Sequence, residues 1–216
     1  MKALTEKYRP KTFGEVIGQE KAIKTLELLR SRTGLGGRAY WLSGQPGTGK
    51  TTIAKLIAAE LCDDFCIEEI NASTLTGPRA VLELERSANH IGMGEKRGRA
   101  VIINEAHGLR KDVIRTLLDT LERIPDHAVW LFTTTRAGEA SLFEDYDDAS
   151  PLLSRCTVLP LAPFGNRQAF AEFAKAVAMK EGLDGKPLTS YETLLKKHSS
   201  NLRAALQDIE AGVMCL

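Results

Sequence analysis

Gly44-Gln45-Pro46-Gly47-Thr48-Gly49-Lys50-Thr51 is the stretch whose reading decides the fold. It has the form G-x-x-x-x-G-K-T, and its surroundings fit. Ala39-Tyr40-Trp41-Leu42 before it is an apolar run that reads as a strand. Behind it, from Thr52 to Leu61, Ile53, Leu56, Ile57 and Leu61 recur at helical spacing. Strand, glycine-rich turn and helix are the setting of a phosphate-binding loop. Gly44, Gly47 and Gly49 carry no Cβ to block the turn, so backbone N–H groups can face phosphate oxygens. Gln45, Pro46, Thr48 and Thr52 complete that wall. The helix N-terminus adds its partial positive charge. Lys50 is placed to reach β- and γ-phosphates, and the Thr51 hydroxyl to join a Mg²⁺ shell. ATP and Mg²⁺ are therefore the expected cofactors.

Outward from this loop, strands and helices alternate. Helical spacing is read over Gln19 to Arg32, Thr76 to Ile91 and Lys111 to Arg123, with Thr76 as the cap of the second helix. Phe65 to Ile70, Ala100 to Ile103, Ala128 to Thr134 and Val158 to Leu161 read as strands. Ala100-Val101-Ile102-Ile103 is apolar throughout, as in a parallel strand covered on both faces. The expected fold is an α/β P-loop architecture, a parallel sheet with helices on both faces. After Pro160-Leu161-Ala162-Pro163 only helical patterns remain: Arg167 to Glu181, Ser190 to Lys197 and Asn201 to Ala211. The expected division is a nucleotide-binding core over residues 1–163 and a small all-α lid over 164–216. Residues Met1 to Gly18 read as an extended arm with a turn at Pro10.

The bulk numbers narrow the class. The chain has 216 residues, 43% of them hydrophobic, enough for one sizeable core and a small second unit. With 29 basic and 28 acidic side chains the net charge is +1, so global charge argues neither for nor against nucleic acid. The first residues lack the apolar centre of a signal peptide, and no apolar run approaches the ~20 residues of a membrane span. The expectation is a soluble intracellular protein, cytoplasmic or nuclear, with no membrane partner. Cys62 and Cys66 have no second pair to complete a zinc site, and all four cysteines read as small, mostly buried hydrophobes.

A P-loop ATPase needs a carboxylate at the end of a neighbouring strand to hold Mg²⁺, and often an acid to activate water. Asn104-Glu105-Ala106-His107 follows the Val101 to Ile103 run in that position. Glu105 sits where a carboxylate polarises an attacking water. Asn104 stands where an aspartate is expected, and an amide is a poorer partner for a hard cation. The expectation is either weakened Mg²⁺ binding and hydrolysis, raised again by Asn104→Asp, or an inactivated form.

The order of motifs resembles the AAA+ ATPases of sliding-clamp loaders, above all the small subunits of replication factor C and their phage and bacterial relatives. Glu6-Lys7-Tyr8-Arg9-Pro10-Lys11-Thr12-Phe13 with Val16-Ile17-Gly18-Gln19 is similar to that family's N-terminal signature. Leu131-Phe132-Thr133-Thr134-Thr135 resembles its sensor-1 strand, Ser154-Arg155-Cys156 its Ser-Arg-Cys element, and Asn201-Leu202-Arg203-Ala204-Ala205-Leu206 its sensor 2. The resemblance implies roles. Tyr8, Arg9, Val16, Ile17 and Gly18 would surround adenine and ribose. Thr135 would orient the lytic water or the γ-phosphate. Arg203 would reach the γ-phosphate from the lid, and Arg155 would act in trans in the next subunit's site. Thr51 and Asn104 would hold the metal; Lys50, Glu105, Thr135 and Arg155 would carry catalysis.

The family also carries a third, helical collar domain, and no counterpart is expected here, where the sequence stops at Leu216 just past the sensor-2 helix. The partners implied are other clamp-loader subunits in a ring-like oligomer, a sliding clamp, and primer-template DNA held by its phosphate backbone. Arg79, at a helix start, Lys96 and Arg97 in a basic loop, and Arg110 after Glu105 are the candidate DNA contacts. Two other readings stay open: a nucleotide-binding scaffold that does not hydrolyse, for which Asn104 argues, and another AAA+ DNA motor such as a branch-migration or recombination factor.

Overall fold

The computed structural model of the chain describes residues 2–135, 149–162 and 167–215. Strands β1 (Arg38–Ser43), β2 (Ile67–Asn71), β3 (Arg99–Asn104), β4 (Ala128–Thr134) and β5 (Cys156–Pro160) form one sheet in the order β2-β3-β4-β1-β5. Its four pairings are parallel. Helices α1 (Leu4–Lys7), α2 (Glu20–Arg32), α3 (Lys50–Leu61), α4 (Pro78–Asn89), α5 (Lys111–Leu121) and α6 (Ala149–Ser154) accompany it. Helices α7 (Arg167–Glu181), α8 (Leu188–Lys197) and α9 (Leu202–Glu210) follow.

Side chains that alternate along each strand split between two layers. Ala39, Trp41, Val101, Ile103, Trp130 and Phe132 pack under α4 and α5, with Trp41 and Phe132 stacked 5.6 Å apart. Tyr40, Leu42, Ala100, Ile102, Val129 and Leu131 face α2 and α3. Both faces are covered, which is why the central strands read as unbroken apolar runs. The expected sheet with helices on both faces is borne out.

Several boundaries differ from the sequence reading. Phe65 belongs to a 3-10 turn, Asp64–Cys66, and is exposed; the strand begins only at Ile67. Cys66 N donating to Asp63 O bends the chain there. Thr76 does not cap α4: Gly77 is the capping residue and Pro78 opens the helix, where its missing N–H costs nothing. The last strand starts two residues early, at Cys156, and its Pro160 is tolerated because β5 lies at the sheet edge.

A third cluster is made by α7, α8 and α9 through Phe170, Ala174, Val177, Tyr191, Leu195, Leu206 and Ile209. Leu4 is buried in it. The N-terminal arm is thus not simply extended. Its helical turn Leu4–Lys7 docks on the lid, and Phe13, in a second turn over Phe13–Glu15, docks in the α2–α3 layer. The arm ties lid to sheet. The expected division at Pro163 and Phe164 lies outside the described residues.

Candidate nucleotide-binding site

A cleft opens beyond the C-terminal end of β1, between the sheet, the arm and the lid. Its walls include Pro46, Gly47, Thr48, Gly49, Lys50, Thr51 and Thr52 from the loop and α3. Gly47 and Gly49 hold φ of 81° and 92°, a left-handed backbone that favours glycine. A Cβ on Gly47 would also collide with the Asn201 side chain at the start of α9, so glycine lets the lid approach the loop. Gly49 is the N-cap of α3 and has no side chain to satisfy the helix's first N–H groups. Those donors therefore face the cleft with the positive end of a 12-residue helix.

Lys50 is buried, and its Nζ donates to Gly44 O at 3.0 Å and Gln45 O at 2.9 Å. Burial holds its pKa below the usual lysine value. Glu105 pulls it back up and Arg203 pushes it further down. Lys50 thus feels an acid from the sheet and a cation from the lid.

At the other pole, Asn104 ends β3. Its Oδ1 accepts from Thr51 Oγ1 at 3.3 Å and from Thr133 Oγ1 at 2.8 Å. Its Nδ2 donates to Glu69 Oε1 at 2.8 Å. Glu105 follows with φ 55° and ψ 46°, a conformation costly for a residue with a side chain. Its carboxylate lies 3.5 Å from His107 Nε2, while His107 Nδ1 is 3.1 Å from Thr134 Oγ1. These residues fit a nucleoside triphosphate with a divalent cation: uncapped N–H groups, a buried lysine, a glycine cradle that a Cβ would fill, and a hydroxyl–amide pair.

Tyr8, Arg9, Val16 and Ile17 form the arm's side of the cleft, with Thr5, Pro10 and Glu15, which the sequence reading missed. Gly18, φ 75°, and the loop residues Gly44 and Gln45 are not among the residues that line the cleft. Arg9 donates to Thr52 Oγ1 at 3.3 Å. The lid contributes Phe170, Phe173, Leu202, Arg203 and Leu206, and the sheet contributes Glu105, Thr133 and Thr135. Of the apolar lid residues, Leu202 and Leu206 were quoted only within the sensor-2 stretch, and Phe170 and Phe173 were not singled out. Gln19 is a further omission: buried, its Nε2 donates to Thr48 O at 3.3 Å and to Ala162 O at 3.0 Å, clamping the loop to the segment after β5.

Residues 40–159 match the profile of the ATPase family associated with various cellular activities (AAA). The chain belongs to this family. It is 28% identical over 212 residues to the replication factor C small subunit of Haloarcula marismortui, covering 96% of this chain and 61% of that one. It is 32% identical over 213 residues to replication factor C small subunit 1 of Pyrobaculum islandicum, covering 96% and 60%. The chain thus spans about three fifths of the length of these curated relatives. Among solved structures, the Thermotoga maritima RuvB Holliday junction branch migration motor superposes with a TM-score of 0.73 at 26% identity, covering 94% of this chain and 64% of that one.

Other predicted residues of this AAA ATPase lie away from the cleft. Arg155 precedes β5, whose first residue Cys156 pairs with Ala39 near the start of β1, whereas the P-loop follows Ser43 at its end. At ~3.3 Å per residue, a strand's length of roughly 15 Å separates Arg155 from its own loop. There it donates from Nε to Glu122 Oε1 at 3.1 Å and from Nη1 to Pro151 O at 3.1 Å.

The four candidate DNA contacts do not come together. Arg79 and Arg110 lie at the starts of α4 and α5, on the cleft side of the sheet, and Arg110 donates to Thr76 O at 2.9 Å. Lys96 and Arg97 sit at the opposite end, before β3. Lys96 Nζ donates to Ala59 O in the last turn of α3, and Arg97 pairs with Cys62 across an isolated bridge. The four cysteines are free, Cys62 and Cys66 are buried, and no cluster of metal-ligating side chains occurs among the described residues. No helix among them is long and apolar enough to cross a membrane.

Proposed function

We propose that this chain is the ATP-driven motor part of a sliding-clamp loader, a subunit of a ring-like oligomer that places a processivity clamp on primer-template DNA. The observation that carries the reading is likeness to replication factor C small subunits over 96% of the chain, arm and lid included. The place of Arg155 supports it: a guanidinium at the far end of the sheet serves catalysis only in a neighbour's site. The chain's own residues divide the work. N–H groups at the start of α3 and Lys50 bind phosphates. Thr51 and Asn104 would hold Mg²⁺, which when bound supplies positive charge beside the transferring phosphoryl group. Glu105 orients and deprotonates water, with Thr135 beside it. Arg203 senses the γ-phosphate from the lid, and the arm, tied to both lid and sheet, carries the lid's angle to the rest of the ring.

Arg79 and Arg110 are the better-placed DNA contacts, since two helix N-termini beside them favour phosphate. Lys96 and Arg97 would need a second nucleic-acid path. The setting would be the cytoplasm or the nucleus. Superposition on RuvB favours a second reading, a branch-migration motor. ATP turnover of the full chain, with its partner subunits, decides between them. Stimulation by primer-template DNA together with a ring clamp is the expected result. Stimulation by a four-way junction instead, with no response to the clamp, would transfer the assignment to the second reading. No turnover under any of these conditions would leave the scaffold role for which Asn104 argues.

A further inference from the structure

Glu69 has no part in the P-loop mechanism as set out above, yet it touches the one residue that departs from it. It lies on β2, the edge strand, where Asn71 pairs with Asn104 across the ladder. Glu69 Oε1 accepts from Asn104 Nδ2 at 2.8 Å. Its other oxygen, Oε2, lies 2.8 Å from Lys55 Nζ on α3. An ionised carboxylate has acceptors and no donor. The Asn104 atom that meets it must therefore be the amide nitrogen. The amide oxygen is then turned to the two hydroxyls, Thr51 and Thr133, at the pole where the metal would sit.

We propose that Glu69 is the positioning residue of this pole. It locks the Asn104 amide with its oxygen toward Thr51 and supplies, one hydrogen bond away, the negative charge that Asn104 lacks. An aspartate at 104 would set one carboxylate oxygen against another, with no hydrogen donor between it and Glu69. Asparagine is thus the residue that fits beside Glu69, and Lys55 balances the single remaining charge. The expectation from sequence that Asn104→Asp raises turnover changes accordingly: Asn104→Asp gains little alone and gains when Glu69 is neutralised with it. The inference rests on the reading of Thr51 and Asn104 as the metal pole.

The test is Mn²⁺ binding to the full chain saturated with ATPγS, followed by electron paramagnetic resonance, with circular dichroism confirming the fold of each variant. Outer partners that orient a metal ligand typically change metal affinity ~10–100-fold. Glu69→Ala is expected to weaken Mn²⁺ about 10-fold. Glu69→Gln keeps an acceptor for Asn104 and is expected to lose less. The double variant N104D/E69Q is expected to bind Mn²⁺ more tightly than N104D. Wild-type affinity in Glu69→Ala, or equal affinity in N104D and N104D/E69Q, overturns the proposal. Thr51→Ala separates the two levels. If it too leaves Mn²⁺ binding untouched, the metal pole is misassigned and the role of Glu69 falls with it. If Thr51→Ala weakens binding while Glu69→Ala does not, only the role of Glu69 falls.

Discussion

Lys50 and Arg155 are both cations held by oxygen atoms, at opposite ends of one sheet. Lys50 is buried, and carbonyls of its own loop hold it facing the cleft. Arg155 is partly exposed, beside Glu122 and the carbonyl of Pro151, and is not among the residues lining the cleft. A desolvated lysine carries a strong local field into the cleft of its own chain. An arginine outside keeps its charge whatever its surroundings and can be presented to another molecule. The difference teaches that the cleft draws its binding groups, Lys50 and Arg203 among them, from one chain, while Arg155 stands outside that cleft and under the proposed function would serve another chain's.

The largest effect should come from breaking the outer half of this pair. In an assembled ring, Arg155→Ala should lower turnover by about 10³-fold, the lower range for a supplied arginine, with nucleotide affinity unchanged. Steady-state ATPase and nucleotide titration of the same preparation check this. Mixed with Lys50→Ala, it should regain turnover, because an intact loop then faces an intact Arg155 in some interfaces. Two variants that stay inactive together in a proven assembly would put Arg155 outside catalysis. Breaking the inner half should be smaller and of another kind. Lys50→Ala removes about two charge-assisted hydrogen bonds of ~1.5 kcal/mol each, or roughly 100-fold in ATP affinity. Identical binding curves for variant and wild type would refute that.

How much of this was legible in the sequence follows from what each part is made of. The P-loop is backbone geometry, and glycine spacing writes backbone geometry directly into the sequence. The sheet's two layers follow from alternation, and the strand and helix assignments stand to within a few residues. Glu69 was invisible as a functional residue because its contact with Asn104 crosses between strands 35 positions apart. Gln19 was quoted within a motif, but its clamp on Thr48 and Ala162 needs the tertiary fold to exist. The arm misled for the same reason: Leu4 looks like an isolated apolar residue until the lid folds over it.

The cleft's side of the comparison can be sharpened at Gly47, where loop and lid meet. Alanine there must hold φ near 81° and displace the Asn201 side chain. The left-handed backbone alone costs ~1–2 kcal/mol, so nucleotide affinity should fall about 10-fold and stability by about 1 kcal/mol. Thermal melting and nucleotide titration read both. A variant as stable and as tight as wild type would mean that the lid does not close on the loop in this way.

The smallest effect concerns the join between arm and lid. Lys7 Nζ donates to Glu181 Oε1 at 2.6 Å, and the Tyr8 hydroxyl donates to the same oxygen. The hydrogen bonds from Lys7 and Tyr8 hold the Glu181 carboxyl below the ordinary value of 4.5. The same bonds to Glu181 raise Lys7 above 10.5 and Tyr8 above 10.0. The signs then fix the window. A lowered carboxyl contributes stability above its unfolded value and loses it as pH falls through the folded one. Raised donors contribute below their unfolded values and lose it as pH rises through the folded ones. The join therefore holds from about pH 4.5 to about pH 10 and is flat across neutrality. An exposed pair of this kind is weakened by salt. Glu181→Gln should lower Tm slightly at neutral pH and low salt, and the difference from wild type should fade below pH 4.5 and in molar salt. The informative readout is the lid. Since Tyr8 also lines the cleft, Glu181→Gln should make nucleotide affinity, and not only Tm, depend less on pH in the acid range. A Tm difference that persists unchanged into acid would mean that packing of Leu4, and not this charge cluster, fastens the arm to the lid.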